Sequence, residues 1–461
     1  MGSPAAPLIP TPNATQRAER AAPISAAGAP VNRFGVVEGF WYPDLTCELG
    51  VGWDRIIFDW GQHQPEKKDD WYTLNVDDRW LSAADACGRE VVALLKHSPD
   101  WATDGLAGPG LPSGLDLPID DPNNLWANFV RTSVTYYKGR LGRGVTHFII
   151  WNEPDIEAGT YGYEFEGDLD AYARLLKVAY LAAKEANPDA VIHLAGTTYW
   201  HDVNAGRKPY MERLIDTIQQ DPEAAAHGDY FDVMSLHIYF RTDSVYDITH
   251  KMRAMLDAHG LTDKKIWINE TNAAPTLDPQ WPVKREQFPR IDLQQQATFL
   301  VEAAALGLAG GAERIAVYKL YDQSLPAGAE TFGLLSPVDA SARPAFYAWQ
   351  MVARTFNTVT DATLTQSANA NIVTMHTETG ETLLVVWART DQSITVNVDS
   401  DAASLDQIDL YGGITSAALT NHPMPFTLAG TVCDAKEKCF LGGPVLILRA
   451  PAGKTLRADV K

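Results

Sequence analysis

The sequence predicts an α/β fold, a (β/α)8 (TIM) barrel over residues 31–357 followed by an antiparallel β-sandwich domain over residues 358–461, and three observations carry that expectation. Eight short apolar runs recur between Arg33 and Asp322. The longer segments between them place apolar residues at helical spacing. After Phe356 the texture changes to alternating apolar and polar residues broken by turn signals. Alternating strand and helix units of this size close most simply into a barrel. An open doubly wound sheet would instead carry a glycine-rich phosphate loop after its first strand, and none is present.

The expected strands are, in order, "RFGVV" (33–37), "WDRIIFD" (53–59), "EVVALL" (90–95), "VTHFIIW" (145–151), "AVIHLAG" (190–196), "FDVMSLHIY" (231–239), "KIWINE" (265–270) and "RIAVYKLYD" (314–322). Each is rich in β-branched or aromatic residues and nearly continuous in apolar character, as strands covered on both faces are. Among the helical segments, "DLDAYARLLKVAYLAAKEANP" puts Tyr172, Leu175, Leu176, Ala179 and Ala183 on one face and stops at Asn187 and Pro188. "PAFYAWQMVARTF" does the same with Phe346, Trp349, Ala353 and Phe356. Beyond it, "NIVTMHTETGETLLVVWARTDQSITVNVDS" reads as antiparallel hairpins with one wet face, and "QIDLYGG" and "PVLILRAPAG" add later strands.

A chain of 461 residues, 46% hydrophobic, can bury a large core and a second unit. Its formal charge of −20, with the positive residues scattered, argues against nucleic acid or an anionic membrane as a partner. No run approaches the roughly 18 apolar residues of a membrane helix, so a soluble protein is expected. Residues 1–30 are rich in Ala and Pro and lack the apolar stretch of an intact export signal. They read as a disordered lead or linker of the kind left by a cleaved signal, or as a plain flexible terminus. Cys433 and Cys439 bracket "CDAKEKC", a spacing that suits a disulfide and, with it, a secreted or extracytoplasmic location. Cys47 and Cys87 lie in helix-like surroundings and read as core thiols. No cysteine or histidine cluster has zinc-ligand spacing, so neither a metal nor a cofactor is expected.

In a barrel of this kind, functional residues come from the C-terminal strand ends and the loops after them. Those ends supply Glu38 and Trp41, Asp59 and Trp60, His97 and Trp101, Asn152 and Glu153, Trp200, His237 and Tyr239, Glu270, and finally Lys319, Tyr321 and Asp322. Glu153 and Glu270 therefore face one opening from the fourth and seventh strands. Such a pair is what glycoside cleavage needs: one carboxyl protonates the departing oxygen while the other attacks the anomeric carbon or activates water.

"WNEPD" on the fourth strand with "IWINETN" on the seventh resembles the clan A glycoside hydrolases, and within them most closely family 39, which holds β-xylosidases and exopolysaccharide hydrolases. The likeness spans most of residues 33–356. It implies a retaining reaction on a plant or microbial poly- or oligosaccharide, with Glu153 as acid/base and Glu270 as nucleophile. It also implies that Asn152 holds the sugar 2-hydroxyl, that Arg55 keeps Glu270 ionised, and that His237 and Tyr239 touch the nucleophile or the sugar. Where the clan usually places a tryptophan platform after the eighth strand this chain has "VYKLYDQ", so Tyr318 or Tyr321 takes that place and Lys319 adds a polar contact.

Each assignment has a plainer counterpart. Arg55 has an equal claim as partner of Asp59, and His237 as a satisfied core histidine. Trp41, Trp60, Trp101, Trp200 and Trp281 are either sugar platforms or core fillers. Glu38 and Asp322 read more readily as rim ion pairs than as ligands. The alternative for the whole chain is a non-catalytic carbohydrate-binding protein on the same barrel, which the presence of both glutamates counts against. A metal-dependent hydrolase would want paired histidines at strand ends, and the histidines here are dispersed. The long loops "PDWATDGLAGPGLPSGLDLPIDDP" and "TNAAPTLDPQWPVKREQFPR" are read as walls that close one end of the cleft and favour exo action.

Overall fold

The computed structural model describes residues 32–284, 289–419, 423–433 and 439–460. The lead over residues 1–30 lies outside them. Eight parallel strands pair in chain order and close into a barrel: β1 (Phe34–Val37), β2 (Trp53–Asp59), β3 (Glu90–Lys96), β4 (His147–Ile150), β5 (Val191–Leu194), β6 (Val233–Tyr239), β7 (Lys265–Asn272) and β8 (Arg314–Val317). All eight fall within the runs expected from sequence or extend them by one or two residues.

The connecting helices are α1 (Pro43–Leu49), α2 (Trp60–His63), α3 (Asp78–Ala86), α4 (Leu125–Tyr137), α5 (Leu169–Ala186), α6 (Trp200–Asn204), α7 (Tyr210–Ile218), α8 (Thr242–Ala258), α9 (Leu293–Ala309) and α10 (Pro344–Thr355). An Asp or Asn side chain caps several of them: Asp59, Asp77, Asn124, Asp168 and Asp292 each accept a hydrogen bond from a first-turn amide, supplying a partner that the helix itself lacks. The expected inner faces of α5 and α10 are buried. The barrel interior is filled by Trp53, Val92, Leu94, Ile149, Val233, Trp267 and Ala316, a packed core rather than a pore.

The C-terminal strands are β9 (Val359–Gln366), β10 (Ala370–Thr377), β11 (Thr382–Ala388), β12 (Ile394–Ser400), β13 (Ser404–Ile408), β14 (Ile414–Ala418), β15 (Met424–Leu428), β16 (Leu446–Ala450) and β17 (Leu456–Val460). They form a six-stranded sheet in the order β14-β13-β16-β11-β10-β9 and a three-stranded sheet in the order β15-β12-β17. The expectation of one wet face fails for β11, which is buried along its whole length. Its Leu383, Val385 and Trp387 join the core shared with the barrel helices, while Leu384 and Val386 join the core between the two sheets. Burial on both faces explains why "TLLVVWA" is continuously apolar. For the same reason α9, between the barrel strands and the six-stranded sheet, is buried on every side over Gln296–Leu308. No helix among the described residues is long and apolar enough to cross a membrane.

Cys433 and Cys439 form a disulfide, and so do Cys47 and Cys87. The second bond corrects the reading of these two residues as core thiols. Cys47 lies on the exposed side of α1 and Cys87 caps the end of α3, and the packing of these helices brings their Cα atoms to 5.6 Å. A helical setting gave no sign that the two helix surfaces would meet.

The bond closes a loop of 40 residues across the first two barrel units. Loop-closure entropy for that length corresponds to about 4 kcal/mol, and measured values run at about 2–5 kcal/mol. Replacing both cysteines with serine should lower the unfolding free energy by about that much in urea titration, with the slope of the titration showing whether the unfolded chain has also expanded.

Candidate active site

The end of β4 builds the first half of the site. The strand stops at Ile150 because Trp151 takes a left-handed backbone, φ 69°, and Glu153 does so again at φ 40°. Trp151 is fully buried and donates its indole N–H to the Glu164 carbonyl at 2.7 Å. Glu153 N–H donates to the Gly196 carbonyl beyond β5 at 3.1 Å. Pro154, with no N–H to give a ladder, carries the chain away from the sheet.

The second half is a bulge between β6 and β7. Leu236 is paired with Ile268 but His237 with Glu270, so Asn269 is the extra residue. A bulge re-aims the side chains around it, and here it sets His237 and Glu270 side by side at the mouth. Asn269 is fully buried.

Glu270 is only 6% exposed. One carboxylate oxygen pairs with Arg55 Nη2 and the other accepts from the Tyr239 hydroxyl. Burial pushes its pKa up, but the Arg55 charge, the His237 charge and the hydrogen bonds from Tyr239 and Arg55 outweigh that and hold it below the ordinary glutamate value. The partner agrees: burial opposes the charge on Arg55, and Glu270 raises its pKa. Of the two readings of Arg55, the structure therefore gives the pairing with Glu270. Asp59 is taken by His97, 2.7 Å from Nδ1, and by the first turn of α2.

His237 is 2% exposed, and its Nδ1 lies 2.7 Å from Glu153 Oε1 and 3.6 Å from Glu270 Oε2. Burial lowers its pKa, yet the Glu270 charge together with the hydrogen bond and charge of Glu153 raise it above the ordinary histidine value. A core histidine and a site histidine are here the same residue. Nearby Asp155, buried and bonded to the Thr198 N–H and hydroxyl, has its pKa pushed up by burial to about 6.

Asn152 donates Nδ2–H to Glu164 Oε2 at 3.0 Å. Lys319 pairs with Glu38 at 2.6 Å, the rim ion pair expected of Glu38, and its ammonium lies 5.4 Å from the Tyr318 ring centroid. Asp322 departs from expectation: it accepts three hydrogen bonds, from the Thr331 hydroxyl and the Phe332 and Gly333 amides. The loop so pinned brings Phe332 edge-on to Tyr318 and Tyr239, at 5.7 and 5.5 Å. Asn272, the last residue of "INETN", donates to the carbonyls of Tyr318 and Phe332 and ties β7 to this wall. Tyr318, whose peptide bond to Lys319 is cis, thus stands beside Tyr239. Tyr321 packs farther out against Tyr42.

The tryptophans divide. Trp60 does not reach the opening: it is the first residue of α2, fully buried, stacked on Phe129 and hydrogen-bonded to Gln64, and so belongs to the core. Trp101 is half-buried, anchored by its N–H to the Gln64 carbonyl. Trp200 is half-buried under the Arg241 guanidinium. Glu164 and Phe332 are the neighbours that sequence reasoning missed, since both sit on irregular loops at no fixed offset from a strand.

Among the described residues, Glu153, His237 and Glu270 form a group whose ligand atoms lie within 4.8 Å of one another. A cation there would meet a Glu270 whose oxygens are already engaged and a guanidinium at contact distance, so the donor set does not fit one.

No protein-family model matches the sequence, and no curated relative is detected. Solved structures do match. A family 39 glycoside hydrolase from the gut symbiont Bacteroides cellulosilyticus superposes with a TM-score of 0.67 at 16% identity, over 90% of this chain and 80% of that one. A family 30 endoxylanase from Clostridium papyrosolvens gives 0.59 at 12%, over 92% and 97%. A monomeric β-xylosidase from Caulobacter crescentus gives 0.56 at 12%, over 92% and 96%. At these identities the likeness establishes the fold alone, an eight-stranded parallel barrel shared with these enzymes.

Gly196 supplies a direct test of the His237 placement. A Cβ there would lie 2.1 Å from His237 Nε2. Gly196→Ala should push the imidazole off Glu153 and cost about 1–3 kcal/mol of stability, the usual range for overpacking. A crystal structure of the variant, with a thermal melt, checks both.

Proposed function

We propose that this chain is a retaining glycoside hydrolase that cleaves O-glycosidic bonds of a plant or microbial poly- or oligosaccharide. The observation that carries the reading is the asymmetry of two nearby carboxyls. Oxygens of Glu153 and Glu270 lie within 4.8 Å, in keeping with the separation of about 5–5.5 Å that goes with retention and short of the roughly 6.5–9.5 Å that leaves room for an inverting water. One of the two is held ionised by a buried guanidinium. The other is hydrogen-bonded to His237 on β6, the strand beside β7.

In this mechanism a Glu270 oxygen attacks the anomeric carbon as the glycosidic C–O bond breaks, and Glu153 gives its proton to the departing oxygen. Glu153, now ionised, takes a proton from water, whose oxygen attacks the anomeric carbon and releases Glu270. The sum is hydrolysis with Glu153 reprotonated. Tyr239 and Arg55 stabilise the leaving carboxylate in that second step, while Asn152 holds the 2-hydroxyl and Tyr318, Lys319 and Tyr321 shape the sugar site. Two disulfides support an oxidising, extracytoplasmic setting. The xylan- and xyloside-cleaving activities of two of the matched structures make aryl β-xylosides the first substrates to try.

A panel of 4-nitrophenyl glycosides should release nitrophenol with at least one sugar, with the product anomer retained by NMR. Glu270→Ala should lose about 10³-fold or more in kcat, and azide should restore turnover as a glycosyl azide of opposite anomeric configuration. Near-normal activity of that variant would falsify the reading.

The acidic limb of kcat/KM reports the ionisation of Glu270 in the free enzyme. With Arg55 in place it lies below the ordinary glutamate value. Arg55→Leu removes the charge that favours the carboxylate, so the limb should move to higher pH, and kcat/KM at its optimum should fall by about 10²-fold. A pH profile with an unmoved limb would show that Arg55 does not control the nucleophile.

A further inference from the structure

We infer that Glu164 is a positioning residue that fixes the orientation of the Asn152 amide, so that Asn152 presents its Oδ1 to the sugar as an acceptor. The inference rests on the glycosidase reading above.

Glu164 lies on the loop between β4 and α5, outside any helix or strand. Its Oε2 accepts from two donors, Lys96 Nζ at 2.8 Å and Asn152 Nδ2 at 3.0 Å. Its backbone carbonyl takes the Trp151 indole N–H, so the loop is clamped at the same residue to the chain that carries Asn152. Lys96 ends β3 and is 4% exposed, which places a buried cation beside the amide.

A side-chain amide has nearly the same shape whichever way it faces, so its orientation is set by its partners. An ionised carboxylate only accepts, which draws the NH2 group of Asn152 toward Glu164 and turns Oδ1 the other way. Among the described residues Asn152 Oδ1 takes no hydrogen bond from the protein, and it is not sealed in the interior. Lys96 acts in the opposite sense. An ammonium only donates, and without Glu164 between them it would draw Oδ1 toward itself and reverse the amide. Glu164 therefore does two things with one oxygen: it neutralises Lys96 and selects the orientation of Asn152. Asn152 adjoins Glu153, so an amide facing the wrong way would meet the sugar hydroxyl nearest the reacting carbon with the wrong group.

A plain structural ion pair between Lys96 and Glu164 would change stability or overall rate without regard to that hydroxyl. The readout is therefore the preference, in kcat/KM, for the 4-nitrophenyl glycoside cleaved fastest in the panel over its 2-deoxy counterpart. Asn152→Ala should reduce the preference by about ten- to a hundredfold, the range for a hydrogen bond that strengthens in the transition state. Glu164→Ala should reproduce most of that loss through kcat more than KM, and the double variant should lose no more than Asn152→Ala alone. Because Glu164→Ala strips a buried lysine of this partner, Glu164→Gln serves as a second variant. It keeps the shape and an acceptor but not the charge, and should lose about threefold or more, again without adding to Asn152→Ala. Wild-type preference in a folded Glu164 variant, or losses that multiply in the double variant, overturns the inference and leaves the glycosidase reading standing. Wild-type preference in Asn152→Ala overturns it as well, because there is then no contact to position. A Glu270→Ala variant that retains turnover instead overturns the glycosidase reading itself.

Discussion

The buried pair of Arg55 and Glu270 is the interaction on which the mouth of the barrel depends. Neither charge is tolerable there alone. Removing water from a single carboxylate or guanidinium costs several kcal/mol, and breaking a buried pair by deleting one partner costs about 3–5 kcal/mol. The pair also needs its remaining hydrogen-bonding capacity met, which the Tyr239 hydroxyl does for the second oxygen of Glu270. Arg55 comes from β2 and Tyr239 from β6, so the carboxylate on β7 is held from both sides of the opening. The β6–β7 bulge is what makes this reachable: with His237 rather than Ile238 opposite Glu270, one histidine reaches both carboxyls.

The C-terminal domain is tied to the same loop. After Tyr239 the chain passes through Phe240 and Arg241 into α8, and the start of that helix is gripped from the β-sandwich side. Thr242 N–H donates to the Phe440 carbonyl at 2.9 Å, and the Arg241 guanidinium lies between the rings of Trp200 and Phe440 at 5.0 and 4.7 Å. Glu302 on α9 is fully buried and takes the Thr242 hydroxyl at 2.8 Å and the Gly442 N–H at 3.2 Å, and burial drives its pKa well above the ordinary value. Gly442 has to be glycine, because a Cβ would lie 2.1 Å from Glu302 and 2.2 Å from Trp387. Asp243 receives Arg389 and Asn371 from the six-stranded sheet. The residue that hydrogen-bonds the candidate nucleophile is thus a few positions from a polar junction between the domains.

What could be read in the sequence follows from what repeats. Strand ends in a barrel occur at a regular place, so Glu153 and Glu270 were legible from "WNEPD" and "INETN" once eight apolar runs had been counted. Arg55 was legible as a charge inside an apolar strand, and the resemblance pointed to Glu270 as its partner, but the choice between Glu270 and Asp59 stayed open because Asp59 lies closer along the chain. Trp60 misled because a strand end that begins a helix turns its side chain back into the core. Cys47 and Cys87 misled because a disulfide between two helix surfaces leaves no local pattern. Glu164 left no mark because its position is decided by the path of an irregular loop, and β11 hid its second buried face because alternation in a sequence does not say what will later cover the outer side.

The way the strands leave the sheet shows where local preference yields to the site. Glu38 directly after β1, His97 after β3, Trp151 after β4 and Phe240 after β6 all have left-handed backbones, with φ of 56°, 70°, 69° and 64°. For a residue with a Cβ this costs roughly 1–2 kcal/mol each, and glycine would relieve it. Each position instead keeps a side chain that a glycine would forfeit: Glu38 for Lys319, His97 for Asp59, Trp151 for the Glu164 carbonyl, and Phe240 for the ring of Phe332. The barrel accepts this strain at each of the four strand ends, and two of the contacts adjoin the aromatic group beside Tyr239: Lys319 lies 5.4 Å from the Tyr318 ring centroid and Phe240 packs on Phe332. At these four strand ends a side-chain contact, rather than backbone preference, decides which residue stands there.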